Sequence, residues 1–115
     1  MNAEVARALV VQSGSIRYTP AFALGDDTIV SLQLLAVSQT GGATIGLTAS
    51  LQESTNLSEW ADVAGSTTTV LTVAPGIRRS TVTGLISGYG RVRFDNAGPA
   101  ACIVRSRVST TTAPT

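Results

Sequence analysis

Histidine is absent from the sequence, and cysteine occurs once, at Cys102. Histidine is the usual general base near neutral pH and a common metal ligand, so Ser-His-Asp and Cys-His catalytic arrangements are excluded. A single cysteine excludes an intrachain disulfide and a cysteine-rich zinc site. Cys102 stands in the apolar run Ala-Ala-Cys-Ile-Val, which favours a small buried thiol. We therefore expect a protein that is not an enzyme and that holds neither a metal ion nor another cofactor.

Charge is also scarce. Charged residues make up 13% of the chain, against about 25% in typical soluble domains. Lysine is absent, so the eight basic residues are all arginine, and the net charge is +1. This small net charge creates no strong field that would attract nucleic acid or an anionic membrane, so neither is an expected partner. A surface with so few charges is typical of a protein that partners cover, and a monomer with a hydroxyl-rich surface is the alternative.

Long apolar segments are missing as well. The apolar stretch at residues 8–11 is too short for the core of a signal peptide, and no run approaches the roughly 18 apolar residues of a membrane-spanning helix. We therefore expect the protein to be made in a cytoplasm, where it remains soluble or joins an assembly.

A hydrophobic period of two residues runs through most of the chain and predicts β-strands. The alternation is clearest at residues 43–53, 91–95 and 102–108. Further strands are predicted at residues 5–12, 28–37, 60–64, 67–74 and 77–83. Residues 28–37 are rich in Val, Ile and Leu, which predicts a central strand covered on both faces, or on one face by a partner chain. Residues 17–27 alternate little and are expected to form a long loop or an edge segment.

Clusters of Gly, Pro, Asn and Ser separate these strands, for example at residues 12–15, 25–27, 40–42, 54–58 and 96–99. Seven or eight short strands in one domain predict an all-β fold, either an antiparallel β-sandwich or a jelly roll. We assign residues 1–108 to this single domain and residues 109–115 to a polar C-terminal tail. The terminal segments 1–4 and 109–115 are the arms that we expect to reach a neighbouring molecule.

Four arginines occupy alternate positions on two of the predicted strands: Arg91, Arg93, Arg105 and Arg107. If residues 90–95 and 101–108 pair as a hairpin, all four lie on one face of a sheet, with Arg91 opposite Arg105. Opposed like charges are destabilising unless anions lie between them. We predict that the four arginines form an assembly interface with carboxylates of a neighbouring subunit. Screening by solvent or by the chain's own acids is the main alternative, and contact with phosphate is a lesser one.

The segment LQESTNLSEWADV at residues 51–63 has a strand that ends in Ser, then a turn, then a Trp that opens the next strand. It resembles a hairpin found in phage virion β-sandwich proteins and in some carbohydrate-binding and discoidin-like domains. Residues 89–96 resemble the strand that partners this hairpin. Leu57 departs from the pattern, because a turn glycine is expected there, so we expect this loop to differ.

The resemblance implies a structural subunit of a bacteriophage virion, such as a capsid decoration protein. Such a protein is made in the host cytoplasm and acts by adhesion to copies of itself and to a larger capsid protein. The alternative is a carbohydrate- or cell-surface-binding module that uses Trp60, Tyr89 and loop residues. Trp60 would be a stacking platform in that module and a plug in the core or at the sandwich edge otherwise. The plug is favoured because sugar sites usually combine two or three aromatic residues, and no second one accompanies Trp60.

Overall fold

The computed structural model describes residues 2–38, 45–63, 66–70, 76–83, 85 and 88–112. These residues contain ten β-strands: β1 Asn2–Val11, β2 Ile16–Tyr18, β3 Phe22–Ala23, β4 Ile29–Ser38, β5 Leu47–Ser54, β6 Ala61–Asp62, β7 Thr68–Val70, β8 Gly76–Val82, β9 Tyr89–Asn96 and β10 Cys102–Thr111. Every strand that the alternation predicts overlaps one of them. Within the described ranges, no helix is long and apolar enough to span a membrane.

The strands form two antiparallel sheets with the strand order of a jelly roll. Sheet A has the order β1-β10-β4-β8, and sheet B has the order β2-β9-β5-β6. In sheet B, β3 also pairs with β9 and β7 also pairs with β5, so β2 with β3 and β6 with β7 each act as one interrupted strand. The predicted all-β fold of antiparallel sheets is confirmed, and the jelly roll is the form that it takes.

One hydrophobic core lies between the sheets, because the strands turn alternate apolar side chains inward. Val92 and Phe94 of β9 and Leu34 of β4 are fully buried there. Cys102 is also buried, as predicted, and burial raises the pKa of its thiol. The thiol therefore stays protonated near neutral pH and acts as a small apolar group.

The resemblance predicted the pairing of β5 with β6 and with β9 correctly. β5 and β6 form a hairpin in which Gln52 pairs with Asp62. β9, at Tyr89–Asn96, pairs with β5 along the full length of that strand. The predicted edge segment at residues 17–27 is also found, because β2 and β3 lie at the edge of sheet B.

The predicted hairpin of residues 90–95 with 101–108 is wrong, because β9 lies in sheet B and β10 lies in sheet A. The chain crosses between the sheets after Asn96, whose side chain is fully buried. The Asn96 amide nitrogen donates to the carbonyl oxygens of Val11 at 2.8 Å and Ala100 at 3.0 Å, and its amide oxygen accepts from the Gly98 N–H at 3.0 Å. These bonds direct residues 97–101 toward sheet A.

A close approach of two glycines supports the same crossing. A Cβ atom added to Gly98 would lie 2.5 Å from the Gly46 nitrogen, and one added to Gly46 would lie 2.7 Å from the Gly98 Cα. The Ala97 N–H donates to the Gly46 carbonyl at 3.0 Å. Only glycine fits at either position, so the chain passes too close to the start of β5 for a side chain.

Residues 2–4 and 109–111 of the terminal segments are parts of strands of sheet A. β10 continues to Thr111, three residues into the predicted tail, and its Ser109 pairs with Asn2 of β1. The alternation of buried and exposed residues continues there, although the buried position carries a hydroxyl group. Thr110 is buried, and its Oγ1 donates to Asp27 Oδ2 at 2.6 Å. Residues 2–4 and 109–111 are therefore paired within the fold, and contact of the terminal segments with a neighbouring molecule stays a prediction. Residues 113–115 and the predicted turn at residues 40–42 lie outside the described residues.

Candidate binding surfaces

The outer surface of sheet B, called here the aromatic face, is built around Arg91. The residues of β9 alternate, so Arg91 and Arg93 point outward while Val92 and Phe94 are buried. The Arg91 guanidinium carbon lies 4.0 Å from the centre of the Tyr18 ring and 4.3 Å from that of the Trp60 ring. These are cation–π distances.

Strand order brings the two rings to Arg91. Tyr18 ends β2, which adjoins β9 on one side, and Trp60 directly precedes β6, which lies beyond β5 on the other side. Arg91 Nε donates to Gln52 Oε1 at 2.8 Å, and Gln52 Nε2 donates to Asp62 Oδ1 at 2.8 Å. The result is a chain of planar polar groups between two aromatic side chains.

This geometry corrects the interpretation of Trp60. The side chain is half-buried against Arg91 and lies outside the hydrophobic core, so the core position is wrong, whereas the alternative position at the sandwich edge stays a prediction. The expectation that no second aromatic accompanies it is also wrong, because Tyr18 contacts the same guanidinium and is 44% exposed. Tyr89 lies on the same face, opposite Ser54 of β5.

The Leu57 loop, residues 54–60, joins β5 to β6 beside the aromatic face. Ser54 Oγ accepts from the Asn56 N–H at 3.2 Å and the Leu57 N–H at 2.9 Å. Asn56 Oδ1 accepts from the Ser58 and Glu59 N–H groups, both at 2.9 Å. These bonds hold Leu57 at φ 65°, the left-handed conformation in which glycine was expected. A non-glycine residue in this conformation lowers the stability of the fold by roughly 1–2 kcal/mol.

The outer surface of sheet A, called here the arginine face, has a different composition. Arg105 and Arg107 of β10 are exposed, and half-buried aliphatic side chains of β10 itself and of its two neighbouring strands lie on the same face. These aliphatic residues are Val10 of β1, Leu35 and Val37 of β4, and Ile103 of β10. The surface combines apolar area with guanidinium groups, a composition that is typical of protein interfaces.

The charged groups of the arginine face have few close partners of opposite charge. Arg105 Nε lies 3.9 Å from Glu4 Oε2, and Arg7 Nε lies 3.8 Å from the other oxygen of the same carboxylate. Arg107 forms no ion pair with any of the described residues. A hollow of about 260 Å³ lies between these charges, and it is lined by Glu4, Gln33, Leu35, Arg105 and Arg107. The hollow therefore has an apolar floor and a basic rim.

The four predicted interface arginines do not share a surface. Arg91 and Arg93 lie on the aromatic face, whereas Arg105 and Arg107 lie on the arginine face on the opposite side of the sandwich. The single four-arginine surface is wrong for the same reason as the hairpin, since the two strands belong to different sheets. The role of these residues in assembly stays a prediction. In the part of the chain that is described, no three His, Cys, Asp or Glu side chains are placed to hold a metal ion.

No family model matches the sequence, and no curated protein matches it. Solved structures are similar in fold. The PBSX exported protein XepA aligns with 100% of this chain at 16% identity and a TM-score of 0.66, and the chain spans 38% of the length of XepA. The C-terminal CBM6 of LamC, a laminarinase from Zobellia galactanivorans, aligns with 95% of this chain and 98% of its own at 12% identity and a TM-score of 0.59. A protein of the T13 IBDV viral particle aligns with 97% of this chain and 30% of its own at 10% identity and a TM-score of 0.62.

These likenesses show a shared fold. The identities are too low to carry a function, and the three proteins differ in what they do. The aromatic face could have been found from the sequence only by knowing the strand order, because Tyr18 and Trp60 lie far apart along the chain. The arginine face was signalled by the alternation of residues 102–108 and by the apolar content of residues 28–37.

Proposed function

We propose that this chain is a structural subunit of a virion or a similar particle and that it works by docking its arginine face against another protein. The observation that supports this proposal is the arginine face itself, on which Arg105 lies opposite half-buried Leu35 of β4 and on the same strand as half-buried Ile103. Burying these aliphatic side chains in a contact stabilises the contact by about 25 cal/mol for each Å² of apolar surface removed from water.

The arginines give this contact its specificity. A guanidinium group forms two parallel hydrogen bonds to a carboxylate, and these bonds fix the register of a partner. Arg107 has no such carboxylate among the described residues, and the contact of Arg105 with Glu4 is long at 3.9 Å. A partner that supplies carboxylates would satisfy both groups while it covers Leu35.

The low charge of the whole chain and the likenesses in fold support the same role. Only 13% of the residues are charged, so little of the surface is adapted to permanent contact with water. XepA and the IBDV particle protein share the fold with this chain. We propose a location in a virion on this basis, and a role without catalysis, because the sequence offers no histidine and its thiol is buried.

Sedimentation equilibrium of the isolated chain tests this proposal. The 11.8 kDa chain should form oligomers as its concentration rises to about 1 mM, a range that captures even weak contacts. Leu35→Glu, which places a charge in the floor of the hollow, should return it to a monomer. Thr67→Glu is the matched control, because Thr67 is exposed outside the arginine face. A wild-type chain that stays monomeric throughout would contradict docking between copies.

We infer a carbohydrate- or cell-surface-binding module as the second candidate, because the aromatic face places two rings beside hydrogen-bonding groups. The apolar face of a sugar stacks on an aromatic ring, while its hydroxyls pair with planar polar groups such as those of Arg91, Gln52 and Asp62. Tyr18 and Trp60 are close enough to contact one guanidinium from two strands. The CBM6 of LamC shares the fold, which supports this candidate.

Titration with β-glucan oligosaccharides tests the second candidate. Trp60 is the only tryptophan, so its fluorescence reports directly on the aromatic face. Binding should change this fluorescence, and Tyr18→Ala should abolish the change while the melting temperature falls by only a few degrees. Trp60→Ala removes the probe and is followed by calorimetry. If neither method detects binding at about 10 mM sugar, where very weak affinities are visible, this candidate is wrong.

A further inference from the structure

We propose that the Leu57 loop of one copy docks into the arginine face of a second copy, with Leu57 over Leu35 and Glu59 against Arg107. This inference rests on the proposed function, because it names the partner that the arginine face receives. It is carried by two surfaces of the same chain that complement each other in apolarity and charge.

Leu57 is the first element of the contact. Among the large apolar side chains described, it is the most exposed, at 50%. Its φ of 65° adds backbone strain that glycine would not have. The strain lowers the stability of the isolated fold, and the exposed side chain leaves apolar surface that only a partner can remove from water. Strain of this kind is concentrated at functional positions, and burial of Leu57 in a partner offsets the loss.

The loop is rigid before it binds. The Ser54 hydroxyl and the Asn56 amide oxygen accept hydrogen bonds from four successive N–H groups, those of residues 56–59. A loop fixed in this way loses little conformational entropy when a partner covers it. The bonds therefore present Leu57 in a single position, as a docking anchor requires.

The charges of the two surfaces are opposite. Glu59 is exposed two residues beyond Leu57, and no cation in the described segments forms an ion pair with it. The hollow of the arginine face carries Arg105 and Arg107 against the single carboxylate of Glu4. An acidic loop with an apolar tip thus meets a basic hollow with an apolar floor.

Charge also disfavours the symmetric arrangement in which two arginine faces meet. Such a contact would bring four guanidinium groups, those of Arg105 and Arg107 of each copy, together with only the two Glu4 carboxylates, and like charges at an interface are repulsive. The Leu57 loop belongs to sheet B and the arginine face to sheet A, so each copy can offer one surface to each of two neighbours. A contact of this type builds rings or open chains.

Leu57→Gly gives the sharpest test, because it should move folding and association in opposite directions. Glycine accepts the φ of 65° without strain, so the melting temperature should stay the same or rise. The dissociation constant of the oligomer, measured by sedimentation equilibrium on the full chain, should increase at least about tenfold. A loop that is only structural would not show this combination.

A charge exchange provides the second measurement. Glu59→Arg and Arg107→Glu should each weaken association by about tenfold or more, and the double variant should recover to within about threefold of the wild type. Arg93→Glu is the matched control, because it changes the net charge as much as Arg107→Glu does and lies on β9 in sheet B, outside both the Leu57 loop and the arginine face.

The possible failures differ from one another. If Leu35→Glu disrupts the oligomer while Leu57→Gly and the charge exchange leave it intact, the arginine face receives some other partner and this inference is overturned, although the proposed function stands. If the wild-type chain does not associate at any concentration, docking between copies fails altogether and this inference fails with it.

Discussion

Two arginines of β9 on one outer face of the sandwich and two of β10 on the other are held differently. On the aromatic face, Arg91 is held by two rings and Gln52, and Arg93 lies 3.5 Å from Asp95. On the arginine face, Arg105 has one long contact, and Arg107 has no ion pair within the described ranges. The comparison shows that the alternation places an arginine side chain on the outer face of its sheet. Whether that side chain finds a partner within its own chain depends on the residues of the neighbouring strands.

Removing the Asn96 side chain should have the largest effect on stability, because Asn96 directs the crossing that separates the two faces. Asn96→Ala leaves two buried carbonyls and one buried N–H without their partner. We expect a loss of about 2–4 kcal/mol in the free energy of unfolding, measured with urea. Asn2→Ala, at an exposed position of β1, is the control. A loss below about 1 kcal/mol would show that the crossing does not depend on Asn96.

Truncating one arginine on each face compares the two faces directly. Arg91→Ala removes two cation–π contacts and the bond to Gln52, so it should lower the free energy of unfolding by about 1–2 kcal/mol. Arg107→Ala should change the free energy of unfolding by less than about 0.5 kcal/mol, because no described residue forms an ion pair with Arg107. Equal losses in urea denaturation would remove the distinction between the faces.

Ser106 tests the inner side of the strand that carries Arg105 and Arg107. Its hydroxyl is buried and has no hydrogen-bond partner in the described part of the chain. Ser106→Ala removes this unsatisfied group and should raise the free energy of unfolding by about 1 kcal/mol. Ser109→Ala, on the outer side of the same strand, should have little effect. A destabilised Ser106→Ala chain would mean that the hydroxyl has a partner after all.

The smallest effect concerns the end of the arginine-face strand and depends on pH. Hydrogen bonds from the Thr110 and Thr112 hydroxyls lower the pKa of Asp27 from its ordinary value of 3.8. A group whose pKa is lower in the folded state contributes stability above its unfolded pKa and loses it as the pH falls through the folded value. Asp27→Asn should therefore be less stable than the wild type near neutral pH, and the difference should shrink below pH 3.8 in urea titrations. A difference that does not depend on pH would contradict this origin.

The sequence predicts the strands well because a strand that is buried on one side has an apolar residue at every second position, as at residues 91–95 and 102–108. It also predicts the buried thiol of Cys102 and the hairpin at residues 51–63. Each of these depends on residues that are close together along the chain.

The rest of the strand pairing could not be predicted, because most strands of a jelly roll pair with strands that are distant in sequence. The turn after Asn96 contains the same Gly and Pro as a hairpin loop, and only the buried Asn96 amide and the contact of Gly98 with Gly46 direct it to the other sheet. For the same reason, the sequence could not predict that Tyr18 and Trp60 contact the same guanidinium group. The end of β10 was missed because its buried position carries the threonine hydroxyl of Thr110 rather than an apolar group.

Thiol labelling of a Val37→Cys variant tests most directly whether the arginine face is a docking surface. Cys102 is buried, so the new cysteine would be the accessible one, and Ala21→Cys provides an exposed thiol elsewhere on the sandwich. The account predicts that maleimide labels Cys at position 37 quickly in dilute solution and at least about tenfold more slowly once the chain associates, while labelling at position 21 stays constant. Equal rates at position 37 in the dilute and the associated chain would contradict it.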